Sequence, residues 1–231
     1  MLNREQMAWR VAQDLPEGKV VNLGIGMPVA VADFLPGDRE IFIQSENGLV
    51  GAGRCVPDEI GDFDLIDAGS RCVELREGGC VIDSLGAFSM IRGGHVDISI
   101  LGGFEVAGNG DFANWSTGES DMGPLVGGAM DLASSARSLW VMMAHTSRQG
   151  APRLLERCSL PLTGARCVSR VFTDLAIVRI TGGGFVAEEI VEGVSIEDLA
   201  ARTGAAISIA PGCRVLRPPS TITRAQISAR F

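Results

Sequence analysis

The chain has 231 residues, 46% of them apolar and 21% charged, a mix that can fill a folded core and excludes a disordered polypeptide. Twenty basic against 28 acidic side chains give a net charge of −8, and no stretch is strongly basic, which excludes a nucleic-acid footprint.

The opening segment reads as a helix capped by Asn3, with Met7, Ala8, Val11 and Leu15 on one face and Pro16-Glu17-Gly18 as its stop. Val20 to Leu23 then reads as a strand, Gly24-Ile25-Gly26 as a turn, and Pro28 as the first residue of a short helix that ends at Pro36-Gly37. Ile41 to Ile43 is the next strand, followed at once by Ser45-Glu46-Asn47-Gly48. Helix, strand, helix, strand is the order of an α/β fold with a parallel sheet.

Further apolar runs at Asp64–Ile66, Cys72–Leu75, Cys80–Ile82, Val96–Leu101 and Leu139–Met143 continue the pattern between glycine-rich turns. Val168–Ile180 and Phe185–Ile190 read as two strands joined by Thr181-Gly182-Gly183-Gly184, and Ser195 caps a helix to Ala201. The expectation is one open α/β domain over residues 1–217, its mainly parallel central sheet flanked by helices. Residues 218–231, after Pro218-Pro219, read as a polar tail.

Val20 to Ala32 is the longest apolar stretch, but Asn22, two glycines and Pro28 interrupt it, and it is too short to span a bilayer. The first residues lack the apolar block of a signal peptide, so a cytoplasmic protein with no membrane partner is expected. Six scattered cysteines, none in a C-x-x-C pair, read as reduced thiols and speak against a zinc site.

Three constellations compete for chemistry. Gly24-x-Gly26 suggests a dinucleotide site, but Val29 occupies the third position, where a β-branched side chain obstructs helix–strand packing. The turn is better read as backbone donors for an anion or oxyanion. His95 and His145 have no second imidazole at ligand spacing, so no metal is assigned. Glu46, at the carboxyl end of a strand and ahead of Gly48-Leu49-Val50-Gly51, is left by spacing alone between an exposed turn acid and a functional carboxylate.

Val21-Asn22-Leu23-Gly24-Ile25-Gly26-Met27-Pro28 followed by Gln44-Ser45-Glu46-Asn47-Gly48-Leu49 resembles the start of the B (β) subunit of class I 3-oxoacid CoA-transferases. The resemblance continues through Arg92-Gly93-Gly94-His95, Ile100-Leu101-Gly102-Gly103, Ala113-Asn114-Trp115 and Gly127-Gly128-Ala129-Met130-Asp131-Leu132. It ends with His145-Thr146, Cys158 to Gly164 and Thr173 to Ala176, nearly the whole chain in order.

The resemblance implies the open α/β fold of that family and an A (α) subunit partner, in a heterodimer or heterotetramer. It implies no permanently bound cofactor, with coenzyme A as substrate and covalent intermediate and with acyl-CoA and carboxylic acids as the other ligands. Glu46 maps onto the catalytic glutamate, which moves CoA from a donor such as succinyl-CoA to 3-oxoadipate or acetoacetate through a glutamyl-CoA thioester. Asn22 matches an asparagine that orients the carboxylate or donates to an oxyanion, and Gly127 and Gly128 match a glycine pair lining the acyl site. Gly24, Gly26, Ser45, Asn47 and Gly48 fall in the acyl or CoA neighbourhood. His145 is left open between supporting and structural roles.

Two departures bear on the acid and CoA contacts. Residues 116–126 are more acidic than the basic loop expected of the family, and Arg148 stands near the position where a lysine is usual. The alternatives are a CoA-thioester hydrolase of the same fold, associated with loss of the glutamate, and a non-catalytic ligand-binding module.

Overall fold

Asn3 and Gln6 close a capping box: the Gln6 N–H donates to Asn3 Oδ1 at 2.8 Å, and the Asn3 N–H donates to Gln6 Oε1 at 2.9 Å. This opens α1 (Arg4–Asp14), whose Met7, Ala8 and Val11 are buried as the spacing predicts. The computed structural model describes residues 1–37, 39–117, 126–182, 184–220 and 222.

The strands are β1 (Lys19–Leu23), β2 (Ile41–Gln44), β3 (Leu49–Cys55), β4 (Val73–Val81), β5 (Ile98–Gly102), β6 (Glu105–Ala107), β7 (Phe112–Ala113), β8 (Ser138–Met142), β9 (Leu154–Leu155), β10 (Val168–Phe172), β11 (Ala176–Thr181), β12 (Gly184–Val191) and β13 (Ile207–Leu216). Ten of them form one sheet in the order β13-β12-β11-β10-β8-β5-β1-β2-β3-β4, while β7-β6-β9 form a small second sheet. The centre, β10-β8-β5-β1-β2, is wholly parallel, and antiparallel pairs extend it on both sides. The expected α/β architecture is therefore present.

The central strands β5 and β8 are buried on both faces, so they read as nearly continuous apolar runs. Along β8, Trp140 and Met142 face one core cluster while Leu139 and Val141 face the other. The first face is covered by α1 and a 3-10 helix (Pro28–Phe34), and the second by α2 (Ser84–Arg92) and α3 (Ala129–Ser135). Arg10 reaches across from α1 to Glu189 on β12, donating from Nε and Nη2 at 2.8 Å each.

Several sequence expectations are corrected. Asp64–Ile66 is not a strand; it contributes a single bridge, Ile66 to Cys72. Val73–Leu75 and Cys80–Val81, from the runs expected at Cys72–Leu75 and Cys80–Ile82, belong to one strand, β4, in which a bulge with Gly78 at φ +80° hides the continuity. Val168–Ile180 is two antiparallel strands, because Thr173 turns the chain: its hydroxyl accepts from the Leu175 and Ala176 N–H groups. The final strand, β13, is not foreseen from the sequence, since Pro211 and Gly212 (φ +81°) break its pattern on a sheet edge that tolerates both. Ser195 caps α4 (Ile196–Ala201) as expected. Of the proposed tail, Ile222 packs against the first core cluster. Residues 118–125, the centre of the acidic stretch, lie outside the described residues.

His145, just past β8, is fully buried. Its Nδ1 lies 3.0 Å from Thr173 Oγ1 and its Nε2 lies 2.9 Å from Thr203 Oγ1, joining the β10–β11 turn to the end of α4. This makes it a structural histidine. Burial pushes its imidazole down to about 4; the Arg202 charge acts the same way and the Asp174 carboxylate opposes.

The fold accepts neutral His145, whereas the unfolded chain protonates it near 6.5. Its stabilisation is therefore complete above that pH and is lost as pH falls toward 4, about 3 kcal/mol over the window. Urea unfolding at pH 7 and pH 4.5 should show wild type losing more stability than His145→Gln. Equal losses would rule out this linkage.

Candidate active site

The chain reverses between β2 and β3 over Ser45-Glu46-Asn47-Gly48, and the Gly48 N–H donates to the Ser45 carbonyl at 3.0 Å to close the turn. The Ser45 N–H also reaches the Leu49 carbonyl at 2.8 Å. Ser45 Oγ accepts from the Ala68 N–H at 3.1 Å, and Asn47 Nδ2 donates to the Ile66 carbonyl at 2.7 Å. Gly48 has φ +116°, and a Cβ there would overlap the Ile82 carbonyl, so only glycine fits. Its own carbonyl accepts from the Ile82 N–H at 2.8 Å. Three residues of the turn thus hold backbone, and the fourth, Glu46, faces a cavity.

That cavity, about 510 Å³, is bounded by the turn after β1 (Gly24, Ile25, Met27), the end of β5 with the two residues beyond it (Leu101 to Phe104), and the start of α3 (Val126 to Ala129). Glu46 is the one ionisable side chain among the described residues that line it, and it forms no hydrogen bond or ion pair with them. Gly128 sits directly against its carboxylate, where any Cβ would overlap Oε2 and press on Phe88. Burial raises the Glu46 pKa above the ordinary glutamate value, and the Asp131 carboxylate adds to the shift. Asp131 itself is held low by a two-pronged bond from Arg92, whose Nε and Nη2 donate at 2.8 and 3.1 Å.

The residues expected at the site divide into two groups. Gly24, Glu46, Gly127 and Gly128 line the cavity together. Ser45, Asn47 and Gly48 support the turn, while Gly26, at φ +95°, shapes the loop after β1. Gly24 does not offer its N–H to the cavity, because that group donates to the Ile100 carbonyl at 2.8 Å.

Asn22 is placed differently from the direct contact expected. It is buried in β1, and its amide donates to the Gln44 carbonyl at 3.1 Å and to Gln44 Oε1 at 2.7 Å. Gln44 ends β2 and directly precedes the Ser45–Gly48 turn. Arg92, Phe88 and the 66–71 loop are not recognisable in the sequence as site residues. Their partners lie 19 to 42 positions away in the chain, and no local motif announces such pairs.

Residues 4–202 match the sequence model of the family described as Coenzyme A transferase. The chain is 47% identical to the B subunit of 3-oxoadipate CoA-transferase from Acinetobacter baylyi over 208 residues, covering 89% of this chain and 95% of that one. It is 41% identical to the B subunit of succinyl-CoA:3-ketoacid coenzyme A transferase from Helicobacter pylori over 206 residues, covering 89% and 99%. Among solved structures, the apoenzyme of an acyl-CoA transferase from Escherichia coli O157:H7 shares the fold with a TM-score of 0.73 at 16% identity. That alignment takes in 96% of this chain but only 45% of the other, so the chain spans less than half of that protein's length.

The electrostatics of Glu46 can be read directly. A carbon-detected NMR titration should place its midpoint above that of an ordinary glutamate. Asp131→Asn should move it down, since the variant removes a nearby negative charge and frees Arg92. A midpoint that does not move would exclude Asp131 as a cause.

Proposed function

Because the chain belongs to the coenzyme A transferase family, we propose that it is the B subunit of a 3-oxoacid CoA-transferase in which Glu46 is the nucleophile. The donor in this reading is succinyl-CoA, the acceptor is 3-oxoadipate or acetoacetate, and the partner is an α subunit in a heterodimer or heterotetramer. The names of the curated relatives support the reaction class. The observation that carries the mechanism is Glu46, a carboxylate in a cavity of about 510 Å³ with no cation paired to it among the described residues.

A Glu46 oxygen attacks the acyl-CoA carbonyl and expels CoA thiolate, giving an acyl-glutamyl anhydride. The thiolate then attacks the glutamyl carbonyl, releases the first acid and leaves CoA on Glu46 as a thioester. The carboxylate of the second acid attacks that thioester, forming a new anhydride and thiolate. Thiolate attack on the acyl carbonyl releases the new CoA ester and restores Glu46. Over the whole cycle one CoA thioester is exchanged for another of similar energy, so the cycle consumes no nucleotide.

Partial burial suits this chemistry. A carboxylate stripped of part of its water and denied a counter-ion is a stronger nucleophile than a solvated or salt-bridged one. The absent side chain at Gly128 lets the acyl group and the carboxylate approach each other, and the backbone N–H groups of Gly127 and Gly128 are the donors this reading assigns to the oxyanion.

Incubating the two-subunit enzyme with acyl-CoA and no acceptor should leave CoA on the peptide containing Glu46. Borohydride should convert that thioester to an alcohol and hydroxylamine to a hydroxamate, both visible by peptide mass. Glu46→Ala should fold, yet lose exchange and label. Label on another residue would overturn the mechanism, and release of CoA without an acceptor would identify a hydrolase.

Gly128→Ala tests the same geometry from the opposite wall. Its Cβ displaces the Glu46 carboxylate, so kcat should fall about 10²-fold, the scale of a misplacement near 1 Å. The melting temperature should change little, because the change lies at a cavity wall. Wild-type turnover in this variant would show that the carboxylate works from another position.

A further inference from the structure

The two bonds that pin the Ser45–Gly48 turn from behind come from one loop: Ala68 donates to Ser45 Oγ, and Ile66 accepts from Asn47. That loop belongs to no named strand or helix. Asp67 organises it, with Oδ1 accepting from the Gly69 and Arg71 N–H groups at 2.8 and 3.0 Å, while Ser70 takes a left-handed φ of +62°. Its base is tied to the sheet, where the Val73 N–H that opens β4 donates to the Leu65 carbonyl at 2.9 Å and Ile66 bridges to Cys72.

Arg71 adds an attachment to the 3-10 helix on the other side. Its Nε donates to Asp67 Oδ2 at 2.9 Å, Nη1 to Asp33 Oδ2 at 3.3 Å, and Nη2 to the Val29 carbonyl at 2.7 Å. Val29 and Asp33 are buried residues of the 3-10 helix, whose apolar side is part of the first core cluster. Asp33 Oδ1 also accepts from the Cys55 N–H at 3.0 Å, where β3 ends. One guanidinium therefore joins the core-anchored 3-10 helix to the loop that carries the nucleophile's turn.

We propose that Arg71 is a positioning residue for the transfer reaction: it fixes the 66–71 loop on the 3-10 helix and, through Ser45 and Asn47, sets where the Glu46 carboxylate stands in the cavity. This rests on Glu46 being the nucleophile. Arg71 does not line the cavity, so its effect falls on the chemical step and not on substrate binding. A planar fork is required, because its three donors face acceptors on two separate segments.

The test uses the two-subunit enzyme. Arg71→Met should lower kcat and the rate of CoA labelling on Glu46 by about 10²-fold, with KM for acyl-CoA within about twofold of wild type. Arg71→Lys, which keeps the charge but not the fork, should recover part of that rate; it also serves as the readout should the methionine variant not fold. Combining Arg71→Met with Ser45→Ala should cost no more than the worse single change, since both cut one chain of contacts. Unchanged kcat in a folded variant, a loss confined to KM, or additive losses would overturn the inference. Absence of label from wild-type Glu46 would instead overturn the nucleophile assignment on which it stands.

Discussion

A four-residue reversal in which serine, asparagine and glycine each satisfy a backbone group leaves its remaining side chain no local partner, and the site grows from that arrangement. Ser45 and Asn47 bond to the loop behind them, and Gly48 bonds to the end of β4 and tolerates no side chain. Glu46 is left to point away from all of these, over the carboxyl ends of parallel strands, where an α/β sheet places its chemistry. The turn is stiff because its bonds run in several directions. The carboxylate is left without a partner among the described residues because none of those bonds goes to it.

The electrostatics follow from the same constraint. A paired carboxylate would be easier to bury but a poorer nucleophile, and the structure commits Arg92 to Asp131 instead. The Asp131 charge then works against ionisation of Glu46 without bonding to its carboxylate. Holding an acid with a raised pKa ionised at neutral pH opposes folding, since protonation would be favoured in the native state. The broad two-faced core, with strands such as β8 buried on both sides, absorbs that cost.

Much of this is legible in the amino-acid order, and the parts that are not share a cause. Capped helices announce themselves through Asn3 and Ser195, and the buried parallel strands through apolar runs such as Leu139–Met143. Glu46, Gly127 and Gly128 stand out because motif resemblance carries information that spacing does not. The features that escape depend on pairing between distant segments. The bulge at Gly78 disguises β4 as two runs, because its register is set by pairing with β3. Asn22 is visible as a polar residue in an apolar strand, but its partner, Gln44, lies on the neighbouring strand and follows only from register.

The residues that wall the cavity and those that brace the Ser45–Gly48 turn are disjoint sets. Walls come from Gly24, Ile25 and Met27, Leu101 to Phe104 and Val126 to Ala129; the brace comes from Val29, Asp33, Ile66 to Arg71 and Ile82. Gly128 is the exception, since a side chain there would overlap the Glu46 carboxylate. Through the other walls, a lineage built on this scaffold can reshape the cavity while inheriting the brace of the turn, so that cavity shape and turn geometry evolve as separate traits.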